Sequence, residues 1–218
     1  TFAANDLNSL GPGELLLRDL GYYSVDMYGK IEDAGAFYVS RLRPQVGIYQ
    51  LRKGLYEPLS YARIIKRLKA SGERYLDLDV HIGRTVKKPV RLVASLLGGE
   101  AVKRRIKRKR RIKTQLNKTD RELCQLNLFI TNAPPQQLAA GDIYRLYRVR
   151  WQIELVFKSW KSILKIQAVR KMDRPRFLCC LYSKLLWILL NWDVCNIVSC
   201  GLYGKRELVS LYKCFALF

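Results

Sequence analysis

Between positions 144 and 163 the chain reads YRLYRVRWQIELVFKSWKSI, a basic and aromatic run with one carboxylate, Glu154. At about 100° per residue along a helix, Tyr147, Arg150, Glu154 and Lys161 fall within roughly 60° of arc. One face then presents a phenol, a guanidinium, a carboxylate and an ammonium. The carboxylate offers hard oxygen to a divalent cation, and a guanidinium fork can engage two phosphate oxygens at once. A plainer reading makes Arg150 and Glu154 an ordinary i, i+4 ion pair worth about 0.2–0.5 kcal/mol. Spacing alone leaves both open.

A second run, KRRIKRKRRIK at 103–113, holds nine cations in eleven positions and no acid. It is either a solvated helical face or a phosphate-contacting one, with Lys103, Arg104, Arg105, Lys107, Arg108, Lys109, Arg110 and Arg111 as candidate contacts. Neutralising phosphates releases counterions and needs point charges rather than one fixed geometry. The whole chain points the same way: 40 Lys and Arg against 18 Asp and Glu give a net charge of +22 over 218 residues. Such a field attracts polyanions, with nucleic acid the leading partner and an anionic membrane the rival.

Other chemistry-bearing residues carry less. Asp77 and Asp79 alternate in LDLDV with His81 two residues on, which reads as solvent-facing strand acids more readily than as metal ligands. The six cysteines include no C-x2-C pair, so they read as reduced, mostly buried thiols rather than a zinc site or a disulfide framework.

The elements that must position these groups follow from punctuation and periodicity. ELLLR at 14–18, between Gly-Pro-Gly and Asp19-Leu-Gly, predicts a buried strand with Asp19 at its C-terminal end. Ser24 caps a helix running to about Gly35, and FYVSRL at 37–42 has strand-forming composition. From 44 to about 97 short strand-like pieces predict a mainly β segment. LCQLNLFITN at 123–132 returns to strand character, and Asp142 is placed to cap the helix that carries Glu154. On that helix Leu146, Ile153, Phe157, Trp160 and Leu164 form an expected core stripe. The apolar run 177–203, interrupted by Lys184, Asn191, Asp193 and Asn196, predicts a buried packing helix in preference to a membrane span.

The spacing Y-x2-R-x3-E-x6-K, read at Tyr147, Arg150, Glu154 and Lys161, resembles the YREK signature of bacterial insertion-sequence transposases of the DDE class, in the insertion-sequence-four family. RDLGYYS around Asp19 is similar to that family's second acidic motif, SRL at 40–42 to the strand after it, and PVRLV and FITN to segments before the last motif. The resemblance implies an α/β fold of RNase H-like (ribonuclease H-like) type, a mixed sheet with flanking helices and a β-rich insertion. Residues 1–43 and 121–170 would form the catalytic core, 44–120 the insertion with its basic helix, and 171–218 an apolar helical region.

The same resemblance implies a transposase that cleaves and transfers DNA strands using Mg2+, two ions in the complete enzyme, with Mn2+ able to substitute. Asp19 and Glu154 become the second and third catalytic, metal-binding carboxylates, while Tyr147, Arg150 and Lys161 contact DNA. Nothing before Asp19 resembles the first acidic motif, Asp6 lacking a strand context, so the expectation is a C-terminal fragment, inactive by itself. The implied partners are double-stranded DNA, transposon terminal inverted repeats and a second copy in a synaptic homodimer, with no membrane. No basic-then-apolar leader follows Thr1, and a cytoplasmic, nucleoid-associated protein is expected. The alternative is a non-catalytic basic module that grips nucleic-acid backbone only.

Overall fold

Ser24 accepts a hydrogen bond from the Met27 amide at 3.4 Å and starts helix α1 (Val25–Asp33), which gives way at Gly35 with a left-handed φ of +70°. A helix between two strands brings the second back in the direction of the first. Strands β1 (Leu15–Arg18) and β2 (Phe37–Arg41) accordingly pair in parallel, Leu15 opposite Phe37 through Arg18 opposite Ser40. The computed structural model describes residues 10–162, 165–168 and 171–203. It divides into two units, 1–147 and 148–218, each taken by itself.

In the first unit the chain continues through β3 (Ile48–Arg52), β4 (Leu55–Pro58), helix α2 (Tyr61–Ser71), β5 (Leu76–Ile82), β6 (Lys88–Leu96), the basic helix α3 (Gly99–Arg110), helix α4 (Lys118–Gln125), β7 (Leu126–Thr131) and the start of helix α5 (Ala140–Ser162). All seven strands join one mixed sheet in the order β1-β2-β7-β6-β5-β3-β4. Only β1 and β2 run parallel; every other pairing is antiparallel. Lys53 and Gly54, both at positive φ, make the two-residue turn between β3 and β4 that twisted hairpins favour.

Alternation assigns the two faces. Tyr38, Leu92, Ala94, Leu128 and Ile130 point into a core shared with Tyr28 and Ile31 of α1 and Ile64 and Leu68 of α2. Their sequence neighbours Val39, Val93 and Phe129 point the other way, into a smaller core with Ile143 and Tyr147 of α5. Strand β7 is buried at all six positions because it is covered on both faces. Just beyond it, Asn132 donates to the Ala36 carbonyl and accepts from the Tyr38 amide, each at 2.9 Å, which locks the β2–β7 register.

Several sequence expectations change here. The segment 44–97 contains the helix α2, capped by Ser60 and stopped at Gly72 in the left-handed region, where a mainly β segment was expected. Its strands extend the same sheet as β1, β2 and β7. Residues 123–125 belong to α4 rather than to the following strand, and α5 begins at Ala140, so Asp142 sits in its first turn instead of capping it.

In the second unit, helix α6 (Arg174–Tyr203) contains a stretch, Arg174–Val194, long and apolar enough by length and composition to cross a membrane. Only 6% of that window is buried, against the expected packing helix. Lys184, which interrupts the apolar run, donates to the carbonyls of Lys165 and Ala168 at 3.2 and 3.1 Å, so its charge ties α6 to the preceding turn.

Candidate active site and cationic surface

Asp19 follows β1 directly and stands at the carboxyl end of the parallel pair. Its backbone is extended (φ −84°, ψ 162°) at the start of a 3-10 turn, Leu20–Tyr22, and its half-buried side chain makes no capping bond there. Carboxyl ends of parallel strands are where open α/β sheets place ligand-binding groups, because the chain leaves the sheet there and exposes its loops.

Glu154 lies in the second unit, on α5. Arg150 Nη2 donates to Glu154 Oε1 at 2.7 Å, with the two side chains 19% and 51% exposed. An ion pair this wet contributes only tenths of a kcal/mol. Its weight is geometric: it holds a fork and a carboxylate one turn apart on the same helix face. Lys161 continues that face and is exposed.

Tyr147 departs from the expected polar stripe. It is 9% exposed, and its ring sits 5.0 Å from that of Phe129 in the smaller core. The expected core stripe also fails in part, since Ile153 and Phe157 are more than half exposed while Leu146 packs against the sheet side. The helix face that meets the sheet is set by Ile143 and Tyr147, one turn apart. Leu164 and Asp6 lie outside the described residues.

Among the described residues no group of three or more His, Cys, Asp or Glu side chains could hold a metal ion. Asp19 belongs to the first unit and Glu154 to the second, and each carries the hard carboxylate oxygen that Mg2+ takes as a ligand. Asp77 and Asp79 lie two residues apart on β5 with both side chains reaching solvent, the strand-acid reading that their alternation favours. Arg91 holds Asp77 through Nε to Oδ1 at 2.8 Å and Nη2 to Oδ2 at 2.5 Å, Asp79 is exposed, and the His81 ring packs edge-on against Tyr56. Of the cysteines, Cys124 is buried as expected, whereas Cys179 and Cys180 are exposed free thiols. Cys214 lies outside the described residues.

The cationic run divides by contact. Lys103 pairs with Glu100 at 2.9 Å, and Lys109 and Lys113 converge on Asp120 at 2.6 and 2.8 Å. Those two ammonium groups, by hydrogen bonding, hold the Asp120 carboxyl down at about 2. Arg105 donates to the Leu126 carbonyl and to Asn127 Oδ1, at 2.7 and 2.6 Å, anchoring α3 to β7. Arg104, Lys107, Arg108, Arg110 and Arg111 remain exposed.

Two arginines had no signal in the run-based reading. Arg41 ends β2, one register position beyond the Arg18–Ser40 pair and so level with Asp19. Arg91 is buried in β6 and bonds the carbonyls of Ala133 and Leu138 at 3.0 and 2.7 Å. It thus fixes the loop that delivers the chain into α5. A sequence signal for Arg91 exists only in retrospect, as a cation two register positions from Asp77 on the adjacent strand.

A family model described as the transposase DDE domain matches residues 1–190. The transposase for insertion sequence element IS231F of Bacillus thuringiensis subsp. israelensis is 30% identical over 235 residues, covering 100% of this chain and 49% of that protein. The transposase for insertion sequence element IS1151 of Clostridium perfringens is 32% identical over 197 residues, covering 82% of this chain and 41% of its own length. A shorter match, 34% over 67 residues, reaches the putative transposase InsL for IS186A of Escherichia coli (strain K12), over 31% of this chain and 18% of that one. The chain spans about half the length of the curated relatives it matches most fully.

Proposed function

Since this chain belongs to the transposase DDE domain family, we propose that it carries the second and third carboxylates, Asp19 and Glu154, of a DNA strand-transfer site built on an RNase H-like core. Asp19 at the carboxyl end of a parallel strand is the observation that carries this reading. The core comprises β1, β2 and α5, with 44–120 as the insertion. The substrate is double-stranded DNA at the terminal inverted repeats of an insertion sequence, acted on in the cytoplasm.

Strand transfer adds negative charge to a phosphorus already surrounded by anionic oxygens, and Mg2+ when bound supplies Lewis-acid stabilisation and activates the attacking oxygen. Asp19 and Glu154 would hold it. Arg150 orients Glu154 through their ion pair and brings a guanidinium charge to the DNA backbone, and Lys161 adds a point charge further along the helix. Tyr147, buried against Phe129, anchors the start of that helix to the sheet. Such contacts position DNA and do not read its sequence.

This chemistry needs a third carboxylate beside Asp19 and Glu154, and among the described residues no group of three or more His, Cys, Asp or Glu side chains is assembled. On this reading the third carboxylate is not among the described residues, and the 218-residue chain by itself binds DNA and leaves it uncut. In the complete polypeptide Glu154→Gln is expected to bind element ends as the unaltered protein does and neither nick nor join them, read by gel shift and supercoil nicking on one preparation. Nicking at the unaltered rate refutes the assignment, and Mg2+-dependent cleavage by the 218-residue chain refutes the shared site. A second reading, backbone binding without catalysis, is favoured by the same carboxylate count and predicts that Glu154→Gln changes nothing.

A further inference from the structure

Strand direction brings the basic helix to the edge where Asp19 stands. The carboxyl ends of β1 and β2 lie together, β7 runs antiparallel to β2 and so begins there, and β6 ends there, opposite Leu126. Helix α3 follows β6 and α4 precedes β7, so both must sit over this edge. Between them and β2 opens a cleft of about 440 Å3 lined by Leu20, the residue after Asp19, and by four cations, Arg41, Arg105, Arg108 and Lys109, over an apolar floor that includes Leu128. Among the described residues no carboxylate lines it.

The cations are not equivalent. Lys109 is neutralised by Asp120, and Arg105 is tethered to β7. Arg41 and Arg108 make no side-chain hydrogen bond or ion pair among the described residues. Burial, followed by the proximity of Arg41 and Arg108, lowers the pKa of Arg105. Guanidinium groups gathered without an anion repel one another, and that cost is relieved when a phosphate enters among them. A guanidinium fork suits a phosphodiester, and the apolar floor suits the sugar carbons beside it.

We propose that this cleft cradles DNA backbone, with Arg41 and Arg108 clamping phosphates next to the strand presented to Asp19. The placement beside a catalytic carboxylate rests on the transposition reading; the cradle itself does not.

The test is the salt dependence of binding of the 218-residue chain to a fluorescein-labelled DNA duplex, read by anisotropy. Losing two phosphate contacts in R41Q/R108Q should reduce the slope of log affinity against log salt by about 1.8. K66Q/K69Q, which removes the same charge from an exposed face of α2, should reduce it by less than half as much. The single R108Q, at an exposed position, should lose about 0.9 with an unchanged thermal melt, which separates contact loss from misfolding. An unaltered slope in R41Q/R108Q, or an equal loss in K66Q/K69Q, overturns the cradle. So does tighter, more salt-sensitive binding to duplex RNA. If Glu154→Gln in the complete polypeptide still nicks DNA while R41Q/R108Q loses slope, the transposition reading fails and the cradle stands.

Discussion

Arg91→Ala should be among the most damaging polar substitutions in the first unit that touch none of the proposed catalytic groups. The guanidinium is 6% exposed and makes two kinds of contact, a bidentate pair with Asp77, whose side chain is 34% exposed, and two bonds from Nη1 to the carbonyls of Ala133 and Leu138. Truncation leaves two buried carbonyl acceptors unmatched, each costing about 1–3 kcal/mol, so the total loss is about 3–5 kcal/mol. Asp77→Asn keeps an acceptor beside Arg91 and removes only a partly hydrated charge, a loss of about 0.5–1 kcal/mol. Urea unfolding of both variants measures the difference: with m near 2 kcal/mol/M, the midpoint of R91A should fall by roughly 2 M and that of D77N by under 0.5 M. Hydrogen exchange should speed up first at the amides opening α5, because the 133–139 loop is what Arg91 holds. If D77N costs as much as R91A, the ion pair and not the carbonyl tether is the structural element, and this reasoning is wrong.

Two further outcomes follow from the same unit. Folding lowers the Asp120 pKa from 3.8 to about 2 through its bonds to Lys109 and Lys113, so its contribution is fully present above pH 3.8 and lost as pH falls toward 2. Asp120→Asn should remove that acid-side step in a pH series of thermal melts, at a cost under about 1 kcal/mol because the pair is solvent-screened; an undiminished step assigns it to another carboxylate. Gly83→Ala combines a φ of +113° with a Cβ driven into the Val86 carbonyl oxygen and should cost about 1–3 kcal/mol by chemical unfolding. Gly54→Ala, at φ +78° in open space, should cost about 1 kcal/mol; equal costs would show that backbone strain alone decides.

What the sequence made legible was local. β1, α1 and β2 could be placed because Gly-Pro-Gly, Ser24 and Gly35 mark their ends, and a cap or a left-handed glycine acts within four residues of itself. Helix α2 carries the same kind of signal, Ser60, the Ile64–Ile65–Leu68 spacing and Gly72, but strand-like pieces on both sides make the whole of 44–97 read as mainly β. The helical arc of α5 was likewise computable, since it fixes angles between side chains. It does not fix which side meets the sheet. That depends on Phe129 facing the same core as Ile143 and Tyr147, a contact between segments far apart in sequence.

The charge run shows the other limit. Its nine cations are alike by composition, and only folding divides them into those that hold the structure together and those left to a partner. Asp120 takes two ammonium groups, β7 takes Arg105, and Arg41 arrives from a strand that no charge count would have joined to them. The deciding property is strand direction, which hydrophobic alternation leaves undetermined, because a strand presents the same face whichever way it runs. Had β7 run parallel to β2, its amino end, and with it α4, would lie at the opposite edge of the sheet from Asp19. The antiparallel β2–β7 register, pinned by Asn132, is therefore what converts a basic composition into a cationic cleft beside one particular carboxylate.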